Sequence, residues 1–275
     1  MGTALVVDSG DVRLRVEVTG SGTPVVVLHG FTGSAAAMRP LTTLLDPAHR
    51  VIAPDLVGHG RSDTPTNPDS FTVEAMVRQV LAVADVLRCP TFHLVGYSMG
   101  GRVALALGCH VGHRLRSLTL IGATAGLVDE ARRDERRRLD EARARHIESD
   151  FEAFVDDWMS NPLFAGQSRL GEEFLQEART QRLTSRPEGL AASLRSAGTG
   201  SMTPLHDRLG QCTMPTMLVV GGEDVKFRAV AAELSGMLPR SSTAVIPDAG
   251  HSAHLEQPVA VAARIREFVS AIEVS

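Results

Sequence analysis

Three shortages narrow what this chain can be. Cysteine is scarce: Cys89, Cys109 and Cys212 are odd in number and have no paired spacing, which argues against a disulfide framework and fits a reducing, cytoplasmic setting. Long apolar runs are missing, none approaching the roughly 18 residues that span a bilayer, so no membrane partner is expected. The opening "MGTALVVDSGDVRL" has neither a basic region nor an apolar segment of signal length, and Val6 stands where myristoylation requires Ser or Thr. Basic charge is not in excess. Against 32 Asp and Glu there are 28 Lys and Arg, a net charge of −4 that gives no pull toward nucleic acid or anionic lipid.

What is present suits an enzyme-sized domain, since 275 residues with 43% hydrophobic content can bury a sizeable core. Four runs, "PVVVLHG" (24–30), "FHLVG" (92–96), "LRSLTLIG" (115–122) and "TMLVVGG" (216–222), are nearly continuous in Val, Leu and Ile. Parallel strands covered on both faces have that composition. Helical periodicity fills the gaps over 72–87, 227–238 and 258–272, with Thr72 a candidate N-cap. Alternation of strand and helix predicts a largely parallel α/β sheet. "ALVVD" and "VRLRVEV" alternate polar and apolar residues and predict an antiparallel hairpin at one edge. The pattern breaks between about 125 and 210, a stretch rich in Arg, Glu and Ser with helical periodicity and no strand run. A helical insertion, 125–210, over a core of 1–124 and 211–275 is the expectation.

"GYSMG" (96–100) has the spacing of a nucleophile elbow, G-x-S-x-G. The five letters alone are weak, but a strand run precedes Ser98 and a helical pattern follows it. Glycines at 96 and 100 permit a turn tight enough to push the serine out at the top of the sheet. A serine hydroxyl needs a base, and the base needs a carboxylate to hold its tautomer. Asp224 follows "TMLVVGGE" and His251 follows the strand "STAVIP", in the chain order Ser, acid, His. Glu223 and His254 are the competing choices. Backbone N–H groups of Phe31 and Met99 are the expected oxyanion donors. His59 is expected to shape a turn. His110 and His113 are expected to close a helix stopped by Gly112, and no cluster has metal-ligand spacing.

Together "LHGF", "PDLVGHGRSD", "GYSMGG" and "PDAGH" resemble the α/β-hydrolase superfamily over nearly the whole chain. That resemblance implies an eight-stranded, mostly parallel sheet flanked by helices, with a helical cap. "DDWMSNPLFA", "RLTSRPEGLAASLRSAGTGSMTPL" and "KFRAVAAEL" resemble one branch, the 2-succinyl-6-hydroxy-2,4-cyclohexadiene-1-carboxylate synthases, which eliminate pyruvate in menaquinone biosynthesis. "GYSMGGRVA" is also that branch's form of the elbow.

A lyase is thereby implied, with the triad as base, a small polycarboxylate as substrate, and no cofactor or metal. Such a substrate needs cations, and Arg102 lies one helical turn after Ser98 on the same face. The resemblance adds Arg136, Arg182, Tyr97, Trp158 and His29 as substrate contacts, with Arg133 and Arg137 competing for the place of Arg136. Asp134 and Arg138 are expected to pair along a solvated helix face. Two departures stand out: Gly222 replaces the family's glutamate near the acid, and Met202 replaces a frequent glutamine. The alternative is a carboxylic-ester or carbon–carbon bond hydrolase with Ser98 as nucleophile. A non-catalytic binding protein is disfavoured by the intact Ser, Asp and His set.

Overall fold

The computed structural model describes residues 2–274. Its strands follow the branched aliphatic runs, whose side chains pack well on a pleated surface. β1 (Thr3–Asp8) and β2 (Arg13–Thr19) form the antiparallel hairpin. β3 (Pro24–Leu28), β4 (Arg50–Pro54), β5 (Phe92–Tyr97), β6 (Leu115–Ile121), β7 (Thr216–Gly221) and β8 (Ser241–Ile246) are parallel to one another. The sheet order is β1-β2-β4-β3-β5-β6-β7-β8, with β2 antiparallel to β4 as well. The eight-stranded, mostly parallel sheet of an α/β-hydrolase is therefore present. β4 escaped the sequence patterns. "RVIAP" is short, begins with arginine and ends with proline, and its burial comes from lying between β2 and β3.

In chain order the helices are α1 (Arg39–Leu45), α2 (Val73–Val86), α3 (Met99–Val111), α4 (Glu130–Ser149), α5 (Phe151–Met159), α6 (Glu172–Arg182), α7 (Pro187–Ala197), α8 (Val225–Met237), the single turn α9 (Ala253–Glu256), and α10 (Pro258–Glu273). Val80, Val103, Leu107 and Leu234 of α2, α3 and α8 pack on one face of the sheet, and Leu41, Leu45, Val261 and Ile265 of α1 and α10 on the other. Burying each such side chain stabilises the fold by about 1.5–3 kcal/mol. Thr72 caps α2 as expected, its Oγ1 accepting from the Ala75 N–H at 3.2 Å. Gly112 does not act as a left-handed stop. Its φ is −54°, and a 3₁₀ turn, Gly112–Arg114, carries α3 directly into β6. His110 turns back on its own helix, Nδ1 lying 2.6 Å from the Ala106 carbonyl. Among the described residues no helix is long and apolar enough to cross a membrane, and no three potential metal ligands cluster.

Between β6 and β7 the chain leaves the sheet for α4–α7 and a 3₁₀ segment, Pro162–Leu170. Ala144, Ile147, Phe154, Val155, Leu190 and Leu194 give these helices an apolar cluster of their own, and Phe31 from the core packs against it. The outer face of α4 is laced with ion pairs, though not in the expected register: Asp134 pairs with Arg137 rather than Arg138.

Candidate active site

Ser98 sits between β5 and α3 with φ 50° and ψ −105°, a left-handed backbone at a half-buried position. The flanking glycines are sterically required. A Cβ on Gly96 would collide with the Gly100 carbonyl, and one on Gly100 would meet the His29 and Leu28 carbonyls at 2.5 and 2.6 Å. Strain of this kind costs of order 1–3 kcal/mol and lifts the hydroxyl clear of the sheet.

His251 Nε2 lies 3.2 Å from Ser98 Oγ, and its Nδ1 lies 2.9 Å from Asp224 Oδ2. Asp224 divides its carboxylate between two tasks, because Oδ1 accepts from the Phe227 N–H at 3.1 Å and caps α8. The acid is thus fixed by a helix terminus while it fixes the histidine. Gly122 leaves room for the ring, since a Cβ there would stand 2.8 Å from His251 Cε1. Of the competing residues, Glu223 points away to Arg169. His254 is buried against Tyr97, ring centroids 4.1 Å apart, and burial drives its pKa down to about 3.

The Gly100 N–H donates to the His29 carbonyl at 3.1 Å, which ties the end of β3 to the elbow. A Cβ on Gly30 would lie only 3.5 Å from Ser98 Cβ, so the Gly30–Phe31 backbone passes close to the serine. Neither the Phe31 nor the Met99 N–H donates a hydrogen bond to the chain among the described residues. Both are free for an oxyanion.

Above Ser98 opens a cavity of about 120 Å³, walled by Phe31, Tyr97, Arg102, Arg136, Trp158, Phe164, Lys226 and His251, among others. Three of its lining residues are cations, and none is a carboxylate. Arg102 is buried, and one Nη donates to the Ala197 carbonyl. Its second contact is Met202 Sδ at 3.7 Å. Sulfur accepts weakly, so the guanidinium is left short of partners. Burial first, then the charge of Arg136, lowers the Arg102 pKa to about 10, while Asp140 opposes the shift. Arg136 lies 2.9 Å from both oxygens of the buried Asp140. Of the three competing arginines, Arg136 alone lines the cavity; Arg133 pairs with Glu130, and Arg137 with Glu130 and Asp134.

Trp158 lines the cavity and also packs in the helical cluster, edge-on to Phe31 at 5.4 Å. Its indole Nε1 is buried without a partner. Tyr97 presents its ring, because its hydroxyl is engaged 2.9 Å from Ser252 Oγ. Two expected contacts are placed differently. His29 accepts from the Leu56 N–H on Nε2 at 2.9 Å and places Nδ1 2.8 Å from the Gly30 carbonyl, so neither nitrogen is left for substrate. Arg182 lies in an adjoining chamber with His29, Gln167, Gln181, Ser252 and His254, beyond the shared wall of Phe31, Tyr97 and Phe164. Sequence patterns missed Lys226 and Phe164 as lining residues. Lys226 carried one signal, its place at the start of the helix that Asp224 caps.

A model of the alpha/beta hydrolase fold matches residues 23–258. The 2-succinyl-6-hydroxy-2,4-cyclohexadiene-1-carboxylate synthase of Citrobacter koseri (strain ATCC BAA-895 / CDC 4225-83 / SGSC4696) is 34% identical over 252 residues, covering 90% of this chain and 95% of that protein. The chain belongs to this synthase family of α/β-hydrolase-fold proteins. A Bacillus subtilis (strain 168) protein bearing a provisional form of the same name is 38% identical over 275 residues, 99% of this chain and all of that one. The solved structure of MenH from S. aureus superposes with a TM-score of 0.89 at 30% identity, over 94% of this chain and 98% of that one. A thermophilic esterase from Thermogutta terrifontis, solved with malate bound, gives 0.86 at 28% identity, over 98% of this chain and 99% of that one. Synthase family and esterase share the fold, so the contents of the cavity must separate their chemistries.

Proposed function

We propose that this chain is a lyase that eliminates pyruvate from 2-succinyl-5-enolpyruvyl-6-hydroxy-3-cyclohexene-1-carboxylate, giving 2-succinyl-6-hydroxy-2,4-cyclohexadiene-1-carboxylate in menaquinone biosynthesis. One observation carries the proposal: the serine opens into a cavity lined by Arg102, Arg136 and Lys226 and by no carboxylate. Asp140 faces Arg136 from behind, but among the described residues Arg102 and Lys226 have no carboxylate partner, and a substrate with three carboxylates supplies their counter-charge. A neutral ester would leave Arg102 buried and under-partnered.

In this mechanism His251, held by Asp224, takes the Ser98 proton as the serine abstracts a proton from the ring. Charge develops on the conjugated succinyl carbonyl, within reach of the Phe31 and Met99 N–H groups. The electrons return to expel the enolpyruvyl oxygen as the enolate of pyruvate, which takes the proton held by His251 and tautomerises to pyruvate, leaving Ser98 protonated and His251 neutral. A base so placed contributes about 10²–10⁴ in rate, and one oxyanion donor about 10²–10³. Arg102 and Arg136 hold carboxylates in the main cavity, Trp158 and the Tyr97 ring flank the ring system, and Arg182 attracts anionic groups from the adjoining chamber. Residues 125–210 serve as a cap that completes the cavity over the core of 1–124 and 211–275. Three buried free thiols suit a reducing cytoplasm.

A second reading, ester or carbon–carbon bond hydrolysis through an acyl-enzyme at Ser98, is favoured by the same Ser98–His251 contact and the esterase likeness. Pyruvate release from enzymatically generated substrate, measured for wild type, Arg102→Ala and Ser98→Ala, separates the two. Fast release abolished by both substitutions supports the lyase. Release no faster than the spontaneous rate, with ester cleavage intact, refutes it.

A further inference from the structure

Outside the cavity, the 3₁₀ segment Pro162–Leu170 carries an arginine that reaches back to the core. Arg169 donates to both carboxylate oxygens of Glu223, at 3.2 and 2.9 Å, to the Asp248 carbonyl at 3.3 Å, and to Glu256 Oε2 at 3.2 Å. Glu223 immediately precedes Asp224. Asp248 and Glu256 stand on either side of His251 in sequence. The Glu256 side chain, 2% exposed, accepts from the N–H groups of Gly250 at 2.8 Å and Ser252 at 3.2 Å, the two residues flanking the histidine. A single guanidinium therefore touches the acid loop, the histidine loop, and the carboxylate that grips both sides of His251.

The rest of that segment is packed against the same place. A Cβ on Gly166 would collide with the Glu256 carboxylate, so the backbone rests directly on it. Gln167 Nε2 donates to Ser252 Oγ at 2.7 Å. Phe164 turns toward the cavity, 6.3 Å from the His251 ring.

We infer that Arg169 is a positioning residue that couples the seating of the cap segment to the alignment of Ser98, His251 and Asp224. The inference rests on those three residues forming the reactive centre. Asp224 and His251 sit on separate loops, and the Ser98–His251 contact is already 3.2 Å, at the long end for a hydrogen bond. A displacement of about 1 Å at such a site costs about 10²-fold in rate. The pair with Glu223 adds little to global stability, because Arg169 is 51% and Glu223 49% exposed, and the buried Glu256 carboxylate keeps its two backbone donors when Arg169 is removed. Its effect belongs in serine reactivity, not in melting temperature.

The test is the rate at which a small fluorophosphonate labels Ser98 in the full chain, which requires neither the natural substrate nor the cavity cations. Arg169→Ala and Arg169→Met should each label about tenfold more slowly at an unchanged melting temperature, an effect within the loss that misplacement allows. Arg169→Lys keeps the charge but not the fork and should recover part of the rate. Glu223→Gln should slow labelling less, and Arg169→Ala combined with Glu223→Gln should be no slower than Arg169→Ala alone, since both act through one contact. Wild-type labelling rates in both Arg169→Ala and Arg169→Met overturn the inference, as does additivity in the double variant. A wild type that fails to label at Ser98 overturns it together with the triad. A wild type that labels but releases no pyruvate refutes only the proposed reaction, and the Arg169 variants still decide the clamp.

Discussion

Arg102→Met separates stability from function at one side chain. Arg102 is buried, and its pKa falls from the ordinary arginine range to about 10, with burial the main cause and Arg136 the next. For a base, a folded pKa below the unfolded one means that the charge opposes folding. This penalty is complete below about pH 10, so it acts in full at neutral pH. The drop is worth about 3 kcal/mol. Methionine removes the penalty and also gives up the charged hydrogen bond to the Ala197 carbonyl, at about 2 kcal/mol, with the weak Met202 Sδ contact adding little. Leaving that carbonyl unpaired costs about 1 kcal/mol more, so the balance falls near zero. The loss on substrate is of a different order. One bidentate bond to a carboxylate contributes about 3 kcal/mol, or about 10²-fold in kcat/KM. Thermal melting and pyruvate release on the same sample should therefore show an unchanged melting temperature and about a hundredfold slower reaction. A fall of several degrees would mean that Arg102 holds the fold together, and full activity would mean that it meets no carboxylate. Either result refutes the reasoning.

Three further outcomes are expected. Asp224→Asn should keep the α8 cap, since Asn caps as well as Asp, yet lose the grip on His251 Nδ1; kcat should drop about 10³–10⁴-fold at nearly constant melting temperature. Burial lowers the pKa of His29 and His93 to about 4 and of His59 and His254 to about 3, so all four are neutral when folded and take up protons on unfolding. Stability should fall as pH drops below 6.5 toward those values, by up to about 1.4 kcal/mol per pH unit for each; acid unfolding followed by circular dichroism should be complete by about pH 4, with an uptake of about four protons. A chain still folded at pH 4 would sink that account. Trp158 is the only tryptophan and lines the cavity, so a bound polycarboxylate should change its emission in wild type and much less in Arg102→Met.

What was legible in the sequence is what depends on local pattern. Strands covered on both faces must be apolar along their whole length, so the runs that form β3, β5, β6 and β7 were visible at once. β4 was not, because its five residues become a buried strand only through neighbours distant in sequence. The elbow and the order of its partners marked Ser98, Asp224 and His251, since steric demand on Gly96 and Gly100 leaves a mark in the letters themselves. His29 shows the opposite case. Resemblance suggested it as a substrate contact, but the Leu56 N–H takes one nitrogen, and nothing near position 29 announces a donor from position 56.

The arginine-rich helix α4 held more information than its composition suggested. Arg133, Arg136 and Arg137 are chemically alike, and resemblance alone left the choice among them open. The ion pairs and the cavity lining resolve it. Ala144 and Ile147 are the apolar residues that α4 buries, and stepping back one turn at a time from Ala144 reaches Asp140 and then Arg136. A carboxylate on the inward stripe of an otherwise solvated helix must be paired, and the residue one turn before it is an arginine. Asp140 is indeed buried and held by Arg136 and Arg143. Arg133 and Arg137 are half-buried on the same side of α4, but they are tied to Glu130, Asp134 and the Gly200 carbonyl, and Arg136 alone of the three lines the cavity. The buried acid, and not the arginines, was the informative residue. Asp140→Asn should accordingly leave Arg136 in the cavity but free its full charge, raising the cost of the neighbouring Arg102 cation. Tighter binding of a polycarboxylate, at a lowered melting temperature without ligand, is the expected result; weaker binding would mean that Asp140 orients Arg136 more than it neutralises it.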